Sequence, residues 1–269
     1  MIPNVLSIAG SDPSGGAGIQ ADLKAISANR AYAMAAITAL TAQNTQGVTG
    51  IELVPAAFVR QQIETVFADI RVDAVKIGMI ATAEIADAVA DSLGAAPDCA
   101  VVLDPVMVAK GGARLLAPEA VSALRARLLP IARVVTPNLP EAADLLGLEV
   151  ARTRAEMERQ AQMIAEFGPQ AVLIKGGHLE GDDSPDCLVT LEGTVWLEGA
   201  RTATANTHGT GCTLSAALAA QLALGQSLEQ AARAAKTYVA GAIAGAGRLC
   251  VGHGHGPTHH FSSLWGHST

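Results

Sequence analysis

Residues 100–106 read AVVLDPV, four apolar residues followed by Asp104 and a proline. A run this short, apolar throughout rather than alternating, matches a strand covered on both faces. Such strands belong to parallel sheets, whose crossovers carry helices. The same cadence recurs in NVLSIAGSD (4–12), AVKIGMI (74–80), ARVVTPN (132–138) and AVLIKGG (171–177). Helical patterns fill the gaps at 17–30, 55–70, 82–94, 117–130, 139–147 and 153–168, several opened by Thr or Pro and closed near Gly. The alternation specifies an α/β fold, a three-layer α/β/α sandwich around a mostly parallel sheet.

The rhythm breaks at 187–205, CLVTLEGTVWLEGARTATA, where two alternating runs flank EGT. That pattern predicts an antiparallel hairpin at the sheet edge. Two long helices follow, 209–225 and 227–246, with no strand between them. No linker, repeat or low-complexity block divides the chain, so residues 1–269 read as one domain.

Half of the residues are hydrophobic and only 3% aromatic, so the core is built from Val, Ile, Leu and Ala. A net charge of −7 argues against nucleic acid or an anionic membrane as partner. Cys99, Cys187, Cys212 and Cys250 form no C-x-x-C pair, which suits free thiols in a reducing compartment. The N-terminus lacks a basic, long apolar leader, and no apolar run approaches ~18–20 residues. A cytoplasmic location is expected.

Ligands of open parallel sheets bind beyond the carboxyl ends of the strands. The polar residues that close each run therefore converge on one edge. Residues 204–225 read TANTHGTGCTLSAALAAQLALG and put Gly209, Thr210, Gly211 and Cys212 at a helix start. Unpaired amides and the positive dipole end there form an anion cradle, and a thiol at that place is expected to have a depressed pKa. The turn in GSDPSGGAGIQAD (10–22) satisfies neither G-x-G-x-x-G nor the P-loop pattern, so a Rossmann dinucleotide site is unsupported. Asp22 lies one turn into the following helix, where it can look back toward the loop.

Asp104 closes its strand at the ligand edge. Asn138 and Glu141, three apart, share the first turn of a helix; their oxygens suit Mg²⁺, or else a reciprocal helix cap. Lys175 can meet a phosphate as a point charge. Gln43 and Asn44 end the run MAAITALTA, and an amide matches the donor/acceptor edge of an aminopyrimidine. The tail CVGHGHGPTHHF gathers His253, His255, His259 and His260 beside Cys250, but its Gly and Pro content reads as a loop rather than a zinc site.

AGSDPSGGAGIQADLKAI (9–26), ITALTAQNTQGV (37–48), KIGM (76–79), VLDPVM (102–107), TPNLPEA (136–142), LIKGGH (173–178), NTHGTGC (206–212) and GHGHGP (252–257) occur in order along nearly the whole chain. Together they resemble the hydroxymethylpyrimidine/phosphomethylpyrimidine kinases of thiamine biosynthesis, in the ribokinase-like superfamily. The resemblance implies ATP-dependent, Mg²⁺-assisted phosphorylation of 4-amino-5-hydroxymethyl-2-methylpyrimidine and of its monophosphate, by a homodimer. It implies that Gln43 contacts the pyrimidine, with Asp22, Gly10 and Val106 in the same pocket. It also implies that Gly209, Thr210, Gly211 and Cys212 face the transferring phosphoryl group. Lys175, Asn138 and Thr207 are then expected at the nucleotide phosphates, and Asp104 and Glu141 at the metal. Sugar kinases of the superfamily carry Asp at the Cys212 position. Two other readings use the same pocket: a pyridoxal or pyridoxine kinase, and a non-catalytic pyrimidine sensor. Residues 108–116, with paired glycines, are the expected lid.

Overall fold

A computed structural model describes residues 1–94, 99–108, 112 and 115–265. Most of the expected lid, residues 109–111, 113 and 114, lies outside them.

The chain opens with β1 (Asn4–Ser11), α1 (Gly18–Ala28), β2 (Tyr32–Asn44), β3 (Gly47–Leu53) and α2 (Ala56–Asp69). The central crossovers are β4 (Ala74–Ile77), α3 (Ala83–Gly94), β5 (Ala100–Leu103), α4 (Pro118–Ala123), β6 (Val134–Val135), α5 (Leu139–Leu146), α6 (Arg154–Ala165) and β7 (Ala171–Ile174). The last part holds β8 (Asp186–Thr190), β9 (Gly193–Leu197), α7 (Thr210–Ala223) and α8 (Leu228–Ala244).

The nine strands among the described residues form one sheet in the order β3-β2-β1-β4-β5-β6-β7-β8-β9. Pairing is parallel from β2 through β7. The expected hairpin is β8–β9, and β8 also runs antiparallel to β7. A second antiparallel edge was not expected. Here β2 runs on past the apolar part of its sequence and folds back as β3, pairing from Ala39↔Leu53 to Asn44↔Gly47. Asn44, read as a binding amide, instead closes this turn: its Oδ1 accepts from the amides of Gln46 and Gly47.

Apolar side chains cover both faces of the sheet. On one, α2 through α6 pack around Ile8, Val75, Ile77 and Leu103; on the other, α1, α7 and α8 pack around Val5, Ala74, Val102 and Leu173. Successive strand residues point to opposite faces, which is why Val75 and Ile77 sit in one core and Ala74 in the other. Among the described residues no helix is long and apolar enough to cross a membrane.

Helices α5, α6 and α8 begin with reciprocal capping boxes, Asn138/Glu141, Thr153/Glu156 and Ser227/Gln230. By contrast, α1 and α7 have no side-chain cap and no acidic residue in the first turn. Neither first turn therefore carries a capping side chain or carboxylate that would compete with an incoming anion.

Candidate active site

The amino ends of α1 and α7 meet at a cavity of roughly 1400 Å³ on the carboxyl edge of the sheet. Gly209 makes the close approach possible. It caps α7 at φ 76°, and a Cβ there would lie 1.8 Å from the carbonyl oxygen of Gly16 in the β1–α1 loop. That overlap excludes any side chain at 209, quite apart from the backbone strain. Gly16 is held in turn against the His208 ring, which its Cβ would meet at 2.3 Å. The two loops thus interlock through glycines.

Asp12 organises the first loop. Its Oδ1 accepts from the Ser14 amide (2.9 Å) and hydroxyl (2.7 Å), and its Oδ2 accepts from the Ala17 amide at 2.8 Å. The same Oδ2 lies 2.8 Å from His208 Nε2, so the ring's proton bridges the two loops. Burial opposes ionisation of Asp12, but these hydrogen bonds hold its carboxyl below the usual range. Gln43 Nε2 lies 3.5 Å from the same ring nitrogen, while Thr41 Oγ1 donates to Gln43 Oε1. With the His208 proton given to Asp12, the Gln43 amide hydrogens remain available to a ligand.

Cys212 is partly buried in the first turn of α7 and lines the cavity with Thr207, Thr210 and Gly211. Its Sγ accepts from the Gly18 amide at the start of α1. The expected depressed thiol does not occur. Burial pushes Cys212 up to about 11, although Lys76 and the Gly18 amide pull the other way. Helix position is visible in a sequence, whereas the desolvation that outweighs it depends on the folded surroundings.

A second cluster lies beside the first turn of α7. Lys175 Nζ donates to Asp104 Oδ1 at 2.8 Å and stands 3.7 Å from Glu141 Oε2. Asp104 also accepts from Thr136 Oγ1 (3.2 Å) and Ser215 Oγ (3.3 Å). A Cβ on Gly211 would be 3.2 Å from Lys175 Nζ, tight enough that the lysine tip would have to shift by a few tenths of an ångström. Burial works against the Asp104 charge, yet Lys175 and Lys76 keep this carboxyl below its usual value. Glu141 goes the other way: burial raises it to about 7.

Of the two readings of Asn138 and Glu141, the helix cap is the one observed. The capping box forms, with Asn138 Oδ1 accepting from the Glu141 amide and Glu141 Oε2 from the Asn138 amide. The Asn138 side-chain oxygen is therefore taken up by the cap. The same turn lines the cavity, and Glu141 faces Lys175. As a metal pair, Asp104 and Glu141 do not form an all-protein cage. Among the described residues no three His, Cys, Asp or Glu side chains are grouped to hold an ion.

Gly10 and Val106 line the cavity as expected. Asp22 does not. It is fully buried under the floor, where both carboxylate oxygens receive Lys76 Nζ (2.9 and 2.8 Å) and Ser7 Oγ donates at 2.6 Å. Its helix position is as read, but its partner is a lysine on β4. Lys76 is a cavity residue outside the sequence-based set, and the signal for it is a lysine within the apolar run AVKI.

Asp186 and Lys236 were also missed. Lys236 Nζ binds Asp186 Oδ2 at 2.8 Å, and Asp186 Oδ1 accepts from the amide of Gly176, fixing the turn after Lys175. Arg201 holds the following loop by donating to the carbonyls of Gly177, Leu179, Gly181 and Asp183. The tail histidines disperse. His253 and His255 are exposed, whereas His259 and His260 are buried. His260 Nε2 lies 3.1 Å from Thr213 Oγ1, and His259 packs edge-on against Trp265.

A site with two uncapped helix amino ends, a thiol and a lysine–carboxylate cluster suits transfer of an anionic group. Comparison with known proteins agrees. A family model for phosphomethylpyrimidine kinase matches residues 12–259. The hydroxymethylpyrimidine/phosphomethylpyrimidine kinase of Escherichia coli (strain K12) is 52% identical over 262 residues, 97% of this chain and 98% of that one. Among solved structures, Staphylococcus aureus pyridoxal kinase in complex with AMP-PCP and pyridoxal superposes with a TM-score of 0.90 at 35% identity, covering 98% and 95% of the two chains. Phosphomethylpyrimidine kinase from Clostridium difficile 630 gives 0.79 at 43% identity, covering 90% and 100%. With its fold, its site and this likeness over nearly its whole length, the chain belongs to the phosphomethylpyrimidine kinase family.

Proposed function

We propose that this protein transfers the γ-phosphoryl group of ATP to the hydroxymethyl oxygen of 4-amino-5-hydroxymethyl-2-methylpyrimidine. It then phosphorylates the monophosphate to the diphosphate, in thiamine diphosphate biosynthesis. The observation that carries this reading is the meeting of two uncapped helix amino ends at Cys212, within one cavity that also presents Gln43. Gln43 takes the aminopyrimidine edge, with Gly10 and Val106 against the ring. Amides of Gly209, Thr210, Gly211 and Cys212 surround the transferring group, which needs positioning and charge stabilisation more than covalent help. Lys175 and Thr207 take the nucleotide phosphates, and the apolar end formed by Val239, Ala240 and Ile243 takes the adenine. Cys212, as thiolate, takes the hydroxyl proton.

Mg²⁺ fits this site. Asp104 and Glu141 offer hard oxygens, and the ion ordinarily completes its shell with waters and substrate phosphates rather than a protein cage. When bound, it supplies charge neutralisation at the phosphates.

The deciding experiment is a coupled ADP-release assay with saturating ATP and Mg²⁺ across the hydroxymethylpyrimidine, its monophosphate and pyridoxal. Turnover of both pyrimidines with a kcat/KM at least about tenfold above pyridoxal is expected. Robust turnover of pyridoxal alone would replace this reading with a vitamin B6 kinase, which the pyridoxal kinase fold neighbour motivates. Ligand binding without ADP release would leave a sensor.

The protein is further proposed to act in the cytoplasm as a homodimer. Ile51 and Leu53 stand exposed on one face of β3, at an edge open to a second copy. Light scattering should give a dimer mass for the wild type and a monomer for Ile51→Lys. A monomeric wild type would remove the proposal.

A further inference from the structure

The Lys76–Asp22 pair is a costly buried arrangement that catalysis as described above does not use. Both side chains are wholly buried, and taking two charges out of water costs several kcal/mol per ion before their attraction repays it. An apolar pair would pack the same space at lower cost. The register shows where the charge is directed. Lys76 shares the face of β4 with Ala74, the face covered by α1 and α7. Asp22 comes from α1 and Cys212 from α7.

An ammonium has three N–H donors. Two are used on the oxygens of Asp22, and Lys76 makes no other hydrogen bond among the described residues. Lys76 lines the cavity together with Cys212. The space around its tip is kept open by Gly78, where a Cβ would lie 2.7 Å from Nζ and 3.0 Å from Ala9 Cβ.

We propose that Lys76 is the counter-ion of the Cys212 thiolate, a positioning residue that Asp22 holds beneath the cavity floor. This rests on the reading that Cys212 takes the substrate's proton. In that step the hydroxyl proton passes to the thiolate while the oxygen attacks the γ-phosphorus. The bond to the bridging oxygen breaks, and ADP leaves with the electron pair. Lys76 stays protonated throughout, since Asp22 and its other anionic neighbours offset the effect of burial and hold the ammonium above its usual range. The charges facing Cys212 are Lys76 from β4, Asp22 from α1, Asp104 from the end of β5 and Lys175 from the end of β7. Of these, Lys76 is the cation that most favours the thiolate.

The test is the rate of iodoacetamide alkylation at Cys212 in the full chain without ligands, followed by peptide mass spectrometry at fixed mildly alkaline pH. The rate tracks the thiolate fraction, about tenfold per unit of thiol pKa. The neutral double variant Lys76→Met/Asp22→Asn is expected to react about tenfold more slowly than wild type. Asp22→Asn alone, which leaves Lys76 without its competing anion, is expected to react faster. Lys76→Arg keeps the charge and should stay within about threefold of wild type. Damage to the fold would not reverse sign between the first two variants. If the double variant fails to fold, Asp22→Asn and Lys76→Arg decide. An unchanged rate in the double variant overturns the proposal, as does a slower one in Asp22→Asn or a loss of ~tenfold in Lys76→Arg. Because alkylation reads the thiol directly, the result stands apart from whether Cys212→Ala spares turnover, which would instead remove the proton-transfer reading.

Discussion

Cys212→Ala is expected to lower kcat by about 10²–10⁴-fold, with the KM for the pyrimidine changed by less than about threefold. In the proposed pose Gln43 and the β1 end take the ring and the thiol does not, so its loss should fall on the transition state. The raised thiol gives this prediction a second readout. With Cys212 near 11, most of the free enzyme carries a neutral thiol at neutral pH. If Cys212 is the base as proposed, wild-type kcat/KM should therefore climb about tenfold per pH unit from neutrality toward the thiol's value. The alanine variant should lose that slope. Equal turnover in wild type and variant would return Cys212 to a packing role, and a flat wild-type profile would remove it as the base.

The parts of this site that the sequence disclosed are those set by local chemistry. β4, β5 and β7 are apolar at nearly every position because both faces are covered, and their ends mark the ligand edge. The glycines of HGTGC announce the helix start that the structure places at the cavity. β3 was not legible for the same physical reason. Its residues GVTGIEL are mostly exposed, so no burial pattern marks them, and only pairing with the extended end of β2 makes them a strand. Long-range charge was equally hidden. Asp22 and Lys76 stand on different elements, as do Asp186 and Lys236, and each pair makes sense only once the sheet brings its members together. The thiol's raised pKa belongs with these, since a sequence displays a helix dipole but not the low-dielectric surroundings that overcome it.

Lys175→Met is the other substitution with a large expected effect, in stability as well as turnover. Turnover should fall by about 10²-fold or more, as for removal of a preorganised group from a developing charge. The variant also leaves Asp104 and Glu141 facing each other without the cation between them. In the wild type Asp104 titrates below its ordinary 3.8, so its contribution to stability is present above that value and is lost as pH falls through the lowered one. Without Lys175, burial becomes the stronger influence and the folded-state pKa of Asp104 rises above the unfolded one. Its linkage then reverses: stability is fullest in acid and declines as pH rises through the raised value. The destabilisation of Lys175→Met should accordingly be greater at pH 8, reaching about 3–5 kcal/mol, than at pH 5. Lys175→Met/Asp104→Asn should recover most of that loss at pH 8 while remaining inactive, because it removes the stranded charge without restoring the cation. Thermal melts of the three proteins at the two pH values measure this directly. An equal deficit at both pH values would mean that Lys175 stabilises through packing alone, and a turnover loss below about tenfold would take it out of the phosphate site.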